Sequence, residues 1–302
     1  DAKLFYEIIR KLSIEDADIT IESDSRFVTT ISCGTSVFNI PGRDGEEFSY
    51  LPYIEKDRHI CLSQFTLKEA IRQTIFSISV NDSNKMMSGE LFEVKGNELR
   101  VVSLDGHRIS IRKIGLKEDY DDIKVIVPGK TLSEISKILN GDNEKEVQIY
   151  FSKNHILFEF DDTIMVSRLI EGEYFKIDNM LSSDYETKVT VNKKEFLDNI
   201  DRAMILIRES DRKPIILNVT DTEIGLRVKS AFGSMNSQVS AHKTGRDIMI
   251  AFNPKFLVDA LRAIDDETVD LYMMNPKSPC FIRDEEEQYI YLILPVNFIA
   301  EN

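Results

Sequence analysis

Apolar residues recur at three- and four-residue spacing in five short segments: KLFYEIIRKL (3–12), FTLKEAIRQTI (65–75), KTLSEISKIL (130–139), KEFLDNIDRAM (194–204) and KFLVDALRAI (255–264). This spacing gathers the apolar side chains on one face of a helix and the charges on the other. Each segment has an apolar anchor (Phe5, Leu67, Leu132, Phe196, Leu257) and, two residues later, an acid (Glu7, Glu69, Glu134, Asp198, Asp259). Both series advance in steps of 62, 65, 64 and 61 residues. Three residues beyond the acid stands a base in four copies, Arg10, Arg72, Lys137 and Arg262, and in the other it slips to Arg202. One such helix is ordinary in a globular protein; five at a near-constant step predict an internal repeat. Pro128-Gly129 and Asn253-Pro254 mark two helix starts, and Asn192 is a candidate cap for a third.

Between the helices the period changes to two. Residues 90–114, 146–170, 215–231 and 269–296 alternate apolar and polar positions. Their breaks fall at Lys95-Gly96-Asn97, Asp105-Gly106, Lys153-Asn154 and Asp161-Asp162, which predicts antiparallel strands joined by tight turns. Each repeat therefore reads as a strand, a helix and about three strands. One helix cannot cover its own sheet, so units pair into domains of α+β class, with two helices on one side and sheets around them. Pairing from the C-terminus predicts domains at 58–183 and 184–302. Residues 1–57 are left as one half of a first domain, and the period predicts a further unit of roughly sixty residues upstream of them.

Composition narrows the class. Of 302 residues, 38 are Lys or Arg and 52 Asp or Glu, a formal charge of −14. A polycation that coats nucleic acid by charge alone is excluded, although a local basic surface is not. The three cysteines, Cys33, Cys61 and Cys280, are far apart and form no CxxC pair, which speaks for a reducing cytoplasm and against a disulfide framework or zinc site. No apolar run reaches membrane-spanning length. HExxH, GxSxG, P-loop and GxGxxG motifs are missing, so the expectation is a protein with no catalytic, cofactor or metal residues.

Five stretches carry a resemblance: SGELFEVKGNELRVVSLDGHRISIRKI (88–114), VIVPGKTLSEISKIL (125–139), SRLIEGEYF (167–175), IAFNPKFLVDAL (250–261) and YIYLILPV (289–296). In this order they resemble the beta subunit of bacterial DNA polymerase III, the sliding-clamp family. The resemblance implies a head-to-tail homodimeric ring of DNA-clamp domains around duplex DNA, helices inside and sheets outside. It implies no catalysis, a cytoplasmic setting and partners comprising the polymerase III alpha subunit, the clamp-loader complex, repair polymerases and mismatch-repair proteins. A structural repeat or scaffold protein with no DNA in its channel is the alternative.

The resemblance also assigns residues. The helices place Lys3, Arg10, Lys11, Lys68, Arg72, Lys130, Lys137, Lys193, Lys194, Arg202, Lys255 and Arg262 toward DNA, with Lys85 from the loop 81–87; an ordinary solvated helix face is the competing reading. A groove for a short peptide ending in hydrophobic residues is assigned to Met87, Leu104, Gly106, His107, Arg108, Ile109, Phe175, Asn179, Met180, Asn253, Phe256, Pro279, Leu292, Ile293, Leu294, Pro295 and Val296. His107, Arg108 and Asn253 are expected to hydrogen-bond that peptide. Phe38 and Ile40 are expected to meet Ile205 and Leu206 of a second subunit, with 229–237 as the pairing edge. Several positions depart from the family pattern. Phe175 replaces a proline, Asn179 an arginine, Leu104 a threonine and Val37 an arginine, Asn84–Met87 replaces an Arg-Pro motif, and 297–302 run past the usual end.

Overall fold

The computed structural model describes residues 1–12, 18–80, 84–208 and 213–298. The chain forms two compact units, Asp1–Tyr53 and Ile54–Asn302. The first holds α1 (Ala2–Lys11) and a three-stranded antiparallel sheet in the order β1 (Thr20–Ser23), β2 (Val28–Cys33), β3 (Ser36–Pro41). Asp1 caps α1 by accepting the Leu4 amide at 2.8 Å. Ile31 and Cys33 are buried in this unit, as is Ile8 on the helix.

The second unit runs β4 (His59–Ser63), α2 (Gln64–Thr74), β5 (Gly89–Leu104), β6 (Arg108–Pro128), α3 (Gly129–Ile138), β7 (Glu146–Phe151), β8 (His155–Phe160) and β9 (Thr163–Arg168). It continues through β10 (Thr187–Asn192), α4 (Lys193–Met204), β11 (Ile215–Val219), β12 (Glu223–Ser230), β13 (Gly233–Gly245) and β14 (Ile248–Phe252). The last elements are α5 (Pro254–Ala263), β15 (Thr268–Met273), β16 (Cys280–Arg283) and β17 (Tyr289–Ile293). The result is a mixed helix and antiparallel-sheet fold, with all five helices where the sequence pattern predicts them. Asn192 and Asn253 cap α4 and α5 by accepting the amides of Glu195 and Lys255. Gly129 opens α3 where a side chain would collide with Ile78 and the Ser88 carbonyl.

The anchors Leu67, Leu132, Phe196 and Leu257 are fully buried, whereas Phe5 is 36% exposed. Leu67 and Leu132 share one core with the faces of β4 to β8, and Phe196 and Leu257 share a second with β10 to β17. One sheet has the order β4-β7-β8-β9. The other has ten strands, β14-β11-β12-β13-β10-β15-β16-β17-β6-β5, so it crosses from one helix pair to the next at the β17–β6 pairing.

One expected turn is corrected. Lys95-Gly96-Asn97 does not end a strand; β5 continues through it with two register shifts against β6 around Gly96. Gly96 has φ +56°, and the bulge absorbs the extra residues while the long hairpin keeps pairing.

Candidate functional site

The seam between the two helix pairs carries the candidate site. In β17, successive side chains point to opposite faces. Tyr291 and Ile293 enter the core under α4 and α5, while Leu292 enters a third, smaller core with Leu104, Ile109, Tyr174, Ile177 and Phe281. Register against β6 pairs Leu292 with Ile109 and Ile293 with Arg108. Beyond the strand, the Leu294 amide donates to the His107 carbonyl at 2.9 Å and the Val296 amide to the Ala251 carbonyl at 2.8 Å. The segment after β17 is thus strapped across the seam.

The turn that opens the site is built by its own sequence. Asp105 Oδ1 accepts the amides of His107 and Arg108 at 3.0 and 3.1 Å, and Gly106 takes φ +86° with nothing within reach of a Cβ. This presents His107 to solvent, its ring stacked on Phe256 at 6.1 Å.

Around the turn lies a cleft of about 440 Å3 lined by Met87, Leu104, Gly106, His107, Arg108, Ile109, Phe175, Met180, Pro279, Leu292 and Leu294. All eleven were assigned from sequence, from segments that span more than two hundred residues. Six further assignments do not line it. Ile293 is corrected: it is 1% exposed on the opposite face of β17. Asn179 is exposed on the 3-10 turn Ile177–Met180, Asn253 is occupied in capping α5, and Phe256 lies behind His107 and Arg108. Pro295 and Val296 belong to the strap.

Arg108 forms wall more than rim. It is 8% exposed, with its guanidinium between the rings of Phe256 (4.5 Å) and Phe76 (5.4 Å). Nε donates to Asp105 at 3.0 Å, one terminal nitrogen to Asp259 at 2.6 Å, and the other to the Phe76 carbonyl. The expected hydrogen bond to a ligand therefore competes with three internal ones. Sequence reading identified Asp259 only as a repeat acid; its partner is 151 residues away.

Two buried carboxylates behind the site were also not foreseen. Glu93 pairs with Arg100 at 2.5 Å, and Arg100 reaches Asp178 at 2.6 Å, tying down the turn that carries Met180. Burial pushes the Glu93 carboxyl up, but Arg100, Lys124 and Lys95 outweigh it and hold it below the ordinary range. Glu90 is fully buried, and neither carboxylate oxygen is hydrogen-bonded among the described residues; the neighbouring Thr74 hydroxyl donates to the Ala70 carbonyl instead, at 2.6 Å. Burial pushes it up to about 8.

The helix cations divide. Lys68 donates to the Leu139 carbonyl at 3.1 Å and Lys193 to the Ile264 carbonyl at 2.7 Å, so both are spent on the C-terminal ends of neighbouring helices. Arg72 reaches Glu69, Asp265 and the Arg262 carbonyl. Lys85 stands in the 3-10 turn Lys85–Ser88; residues 81–83 of its loop, and 299–302 of the tail, lie outside the described residues. In the first unit, β3 is an edge strand with Phe38 exposed and Ile40 half-buried. In the second, Ile205 is 81% exposed while Leu206 packs on the core. β13 pairs with β10 only from Ala241 onward, so Gly233–Ser240 has one strand partner, β12, among the described residues.

Helix pairs on antiparallel sheets thus repeat within the second unit, joined through a continuous sheet with an apolar cleft at the join. Residues 61–176 match the central domain of the DNA polymerase III beta subunit and 179–297 its C-terminal domain. The beta sliding clamp of Staphylococcus aureus is 33% identical over 97% of this chain and 78% of its own length. A protein described as a DNA polymerase III beta subunit from Eubacterium rectale superposes with a TM-score of 0.93 at 63% identity, covering 99% of this chain and 81% of that one. The sliding clamp of Bacillus subtilis gives 0.93 at 32% identity, over 99% and 79%. The chain belongs to the DNA polymerase III beta subunit family, the beta sliding clamps.

Proposed function

We propose that this protein works as a homodimeric ring that encloses duplex DNA in the cytoplasm and holds the replicative polymerase on it. Its domains are 1–57 as part of the first, 58–183 and 184–302, and its helices face the DNA. A closed ring is retained by topology, so an acidic chain suffices. Strong phosphate neutralisation would slow sliding, whereas a hydrated, weakly held contact permits it. β3, with Phe38, is proposed to pair with the free edge of β13 near Ile205 in the next subunit, a heterologous contact that closes.

The cleft is proposed to take the hydrophobic end of a short peptide from the polymerase alpha subunit, the clamp loader, repair polymerases and mismatch-repair proteins. The observation that carries this reading is the convergence of eleven residues on one apolar cleft at the β6–β17 seam. Its methionines adapt to differing side chains. Arg108, locked by Asp105 and Asp259, fixes the wall against which such a peptide would pack.

Two measurements test the reading. The protein, loaded on nicked circular DNA, should be retained and should be lost when the circle is linearised; equal loss from both forms sinks the ring. A fluorescent peptide of QLxLF type should bind in the micromolar range. Leu294→Asp, on a side chain 39% exposed, should weaken it at least tenfold without unfolding the protein. Unchanged affinity refutes the cleft assignment.

A further inference from the structure

The charges of the five helices are ordered. Together the helices carry twelve bases and seven acids, a net of five positive charges in a chain of −14. In the first three copies the base five residues after the anchor is held by the acid three residues before it. These pairs are Arg10–Glu7 at 2.9 Å, Arg72–Glu69 at 2.6 Å and Lys137–Glu134 at 2.8 Å.

In the last copy that geometry is broken, because Asp259 is drawn away to Arg108. Arg262 nevertheless remains paired, now with Asp201 of α4 at 3.1 Å. The neutralisation survives where the local spacing that would stabilise a single helix does not. Helix stability alone does not explain this, since an exposed pair contributes little and buried anchors hold α2 to α5.

A second base sits two residues before the anchor in four copies, as Lys3, Lys130, Lys194 and Lys255. Lys194 pairs with Asp198 at 2.7 Å. The other three have no ion pair among the described residues. In the copies of α1, α3 and α5 a base without an ion pair precedes the anchor and a carboxylate-neutralised base follows it, whereas in α4 the order is reversed: Lys194 is paired and Arg202 has no ion pair among the described residues.

We propose that the helix carboxylates Glu7, Glu69, Glu134 and Asp201 set how loosely the duplex is held, by neutralising Arg10, Arg72, Lys137 and Arg262 and leaving Lys3, Lys130 and Lys255 among the charges DNA feels. This rests on the clamp reading. Each base released from its acid would gain a phosphate and displace a counterion, tightening the contact and steepening its salt dependence by about 0.9 in slope; Arg72 is the exception, since Asp265 also holds it at 2.7 Å.

The test measures the affinity of the intact protein for a short linear duplex by fluorescence anisotropy over a range of salt. The combined variant Glu7→Gln, Glu69→Gln, Glu134→Gln, Asp201→Asn should bind roughly tenfold or more tighter at low salt, with a slope steeper by about two to three. A charge-matched control, Glu46→Gln, Glu47→Gln, Glu171→Gln, Glu173→Gln, changes only exposed acids away from the helices and should shift affinity much less. If the combined variant unfolds, Glu134→Gln alone decides, since its pair is more than half exposed; it should steepen the slope by about one. Equal behaviour of helix variant and control, or an unchanged slope in Glu134→Gln, overturns the proposal. Loss of wild-type protein from intact circles would instead remove the ring reading, which this duplex measurement does not probe.

Discussion

Glu90 shows what one residue imposes on the whole. Its carboxyl lies within the unit with no hydrogen-bond partner among the described residues and is pushed up to about 8 by burial, against an ordinary value of 4.5. A folded value above the unfolded one means that the folded state keeps its proton while the unfolded chain releases it. Stability from this group is therefore complete below about 4.5 and falls as pH rises toward about 8, by ~1.4 kcal/mol per unit. Glu90→Gln is expected to raise the melting temperature at pH 8 and to change it little at pH 4; a pH series of thermal melts checks this. Arg108 is the opposite case, a buried charge with three partners. Arg108→Ala strands Asp259 and Asp105 and is expected to cost roughly 3 kcal/mol in urea unfolding. Of the two, only Arg108 was legible in the sequence, through the Asp-Gly-His-Arg turn. Glu90 reads as one more polar position in an alternating strand, because nothing local reveals that α2 and Tyr174 close over it.

Among elements, the five helices were legible because burial on one face repeats a pattern that sequence displays directly. Their energetic roles are unequal. Leu67 is fully buried between α2 and two sheet faces, so Leu67→Ala is expected to cost about 2–5 kcal/mol, the usual penalty for a core cavity. Phe5 occupies the same repeat position but is 36% exposed, and Phe5→Ala should cost clearly less in the same chemical-denaturation series. The long hairpin was less legible. Gly96 looks like a turn, yet β5 runs on because a left-handed glycine fits a bulge as readily as a reversal. Cations on the helices were legible as residues and not as partners. Lys68 and Lys193 read as DNA-facing bases, but each reaches a neighbouring helix end that sequence spacing cannot place.

On the scale of the molecule, the continuous ten-stranded sheet matters most. The β17–β6 pairing makes the seam part of a sheet rather than a hinge, so cleft walls from two helix pairs move together. Ser110 and Tyr291 sit opposite each other in that pairing. That pair makes no backbone bond across the seam: the His107 carbonyl and the Lys113 amide face the β17 side, so by alternation the Ile111 amide does too and that of Ser110 faces β5. Ile111→Pro should therefore remove a backbone hydrogen bond at the seam and weaken QLxLF-type peptide binding along with thermal stability, whereas Leu294→Asp should affect the peptide alone. Parallel titration and melting of the two variants separates a wall made by sheet continuity from one made by side chains only.

By itself the sequence determined the periodic helices, the strand alternation, the acidic balance and the Asp-Gly-His-Arg turn, since each follows from local propensity or from counting along the chain. Tertiary structure alone decided that Ile293 turns into a core while its neighbours Leu292 and Leu294 face the cleft, that Asp259 serves Arg108 instead of its own helix base, and that Glu90 is sealed without a hydrogen-bond partner among the described residues. These depend on which surfaces meet across more than a hundred residues, and burial, unlike periodicity, is a property of the meeting surfaces and not of either segment.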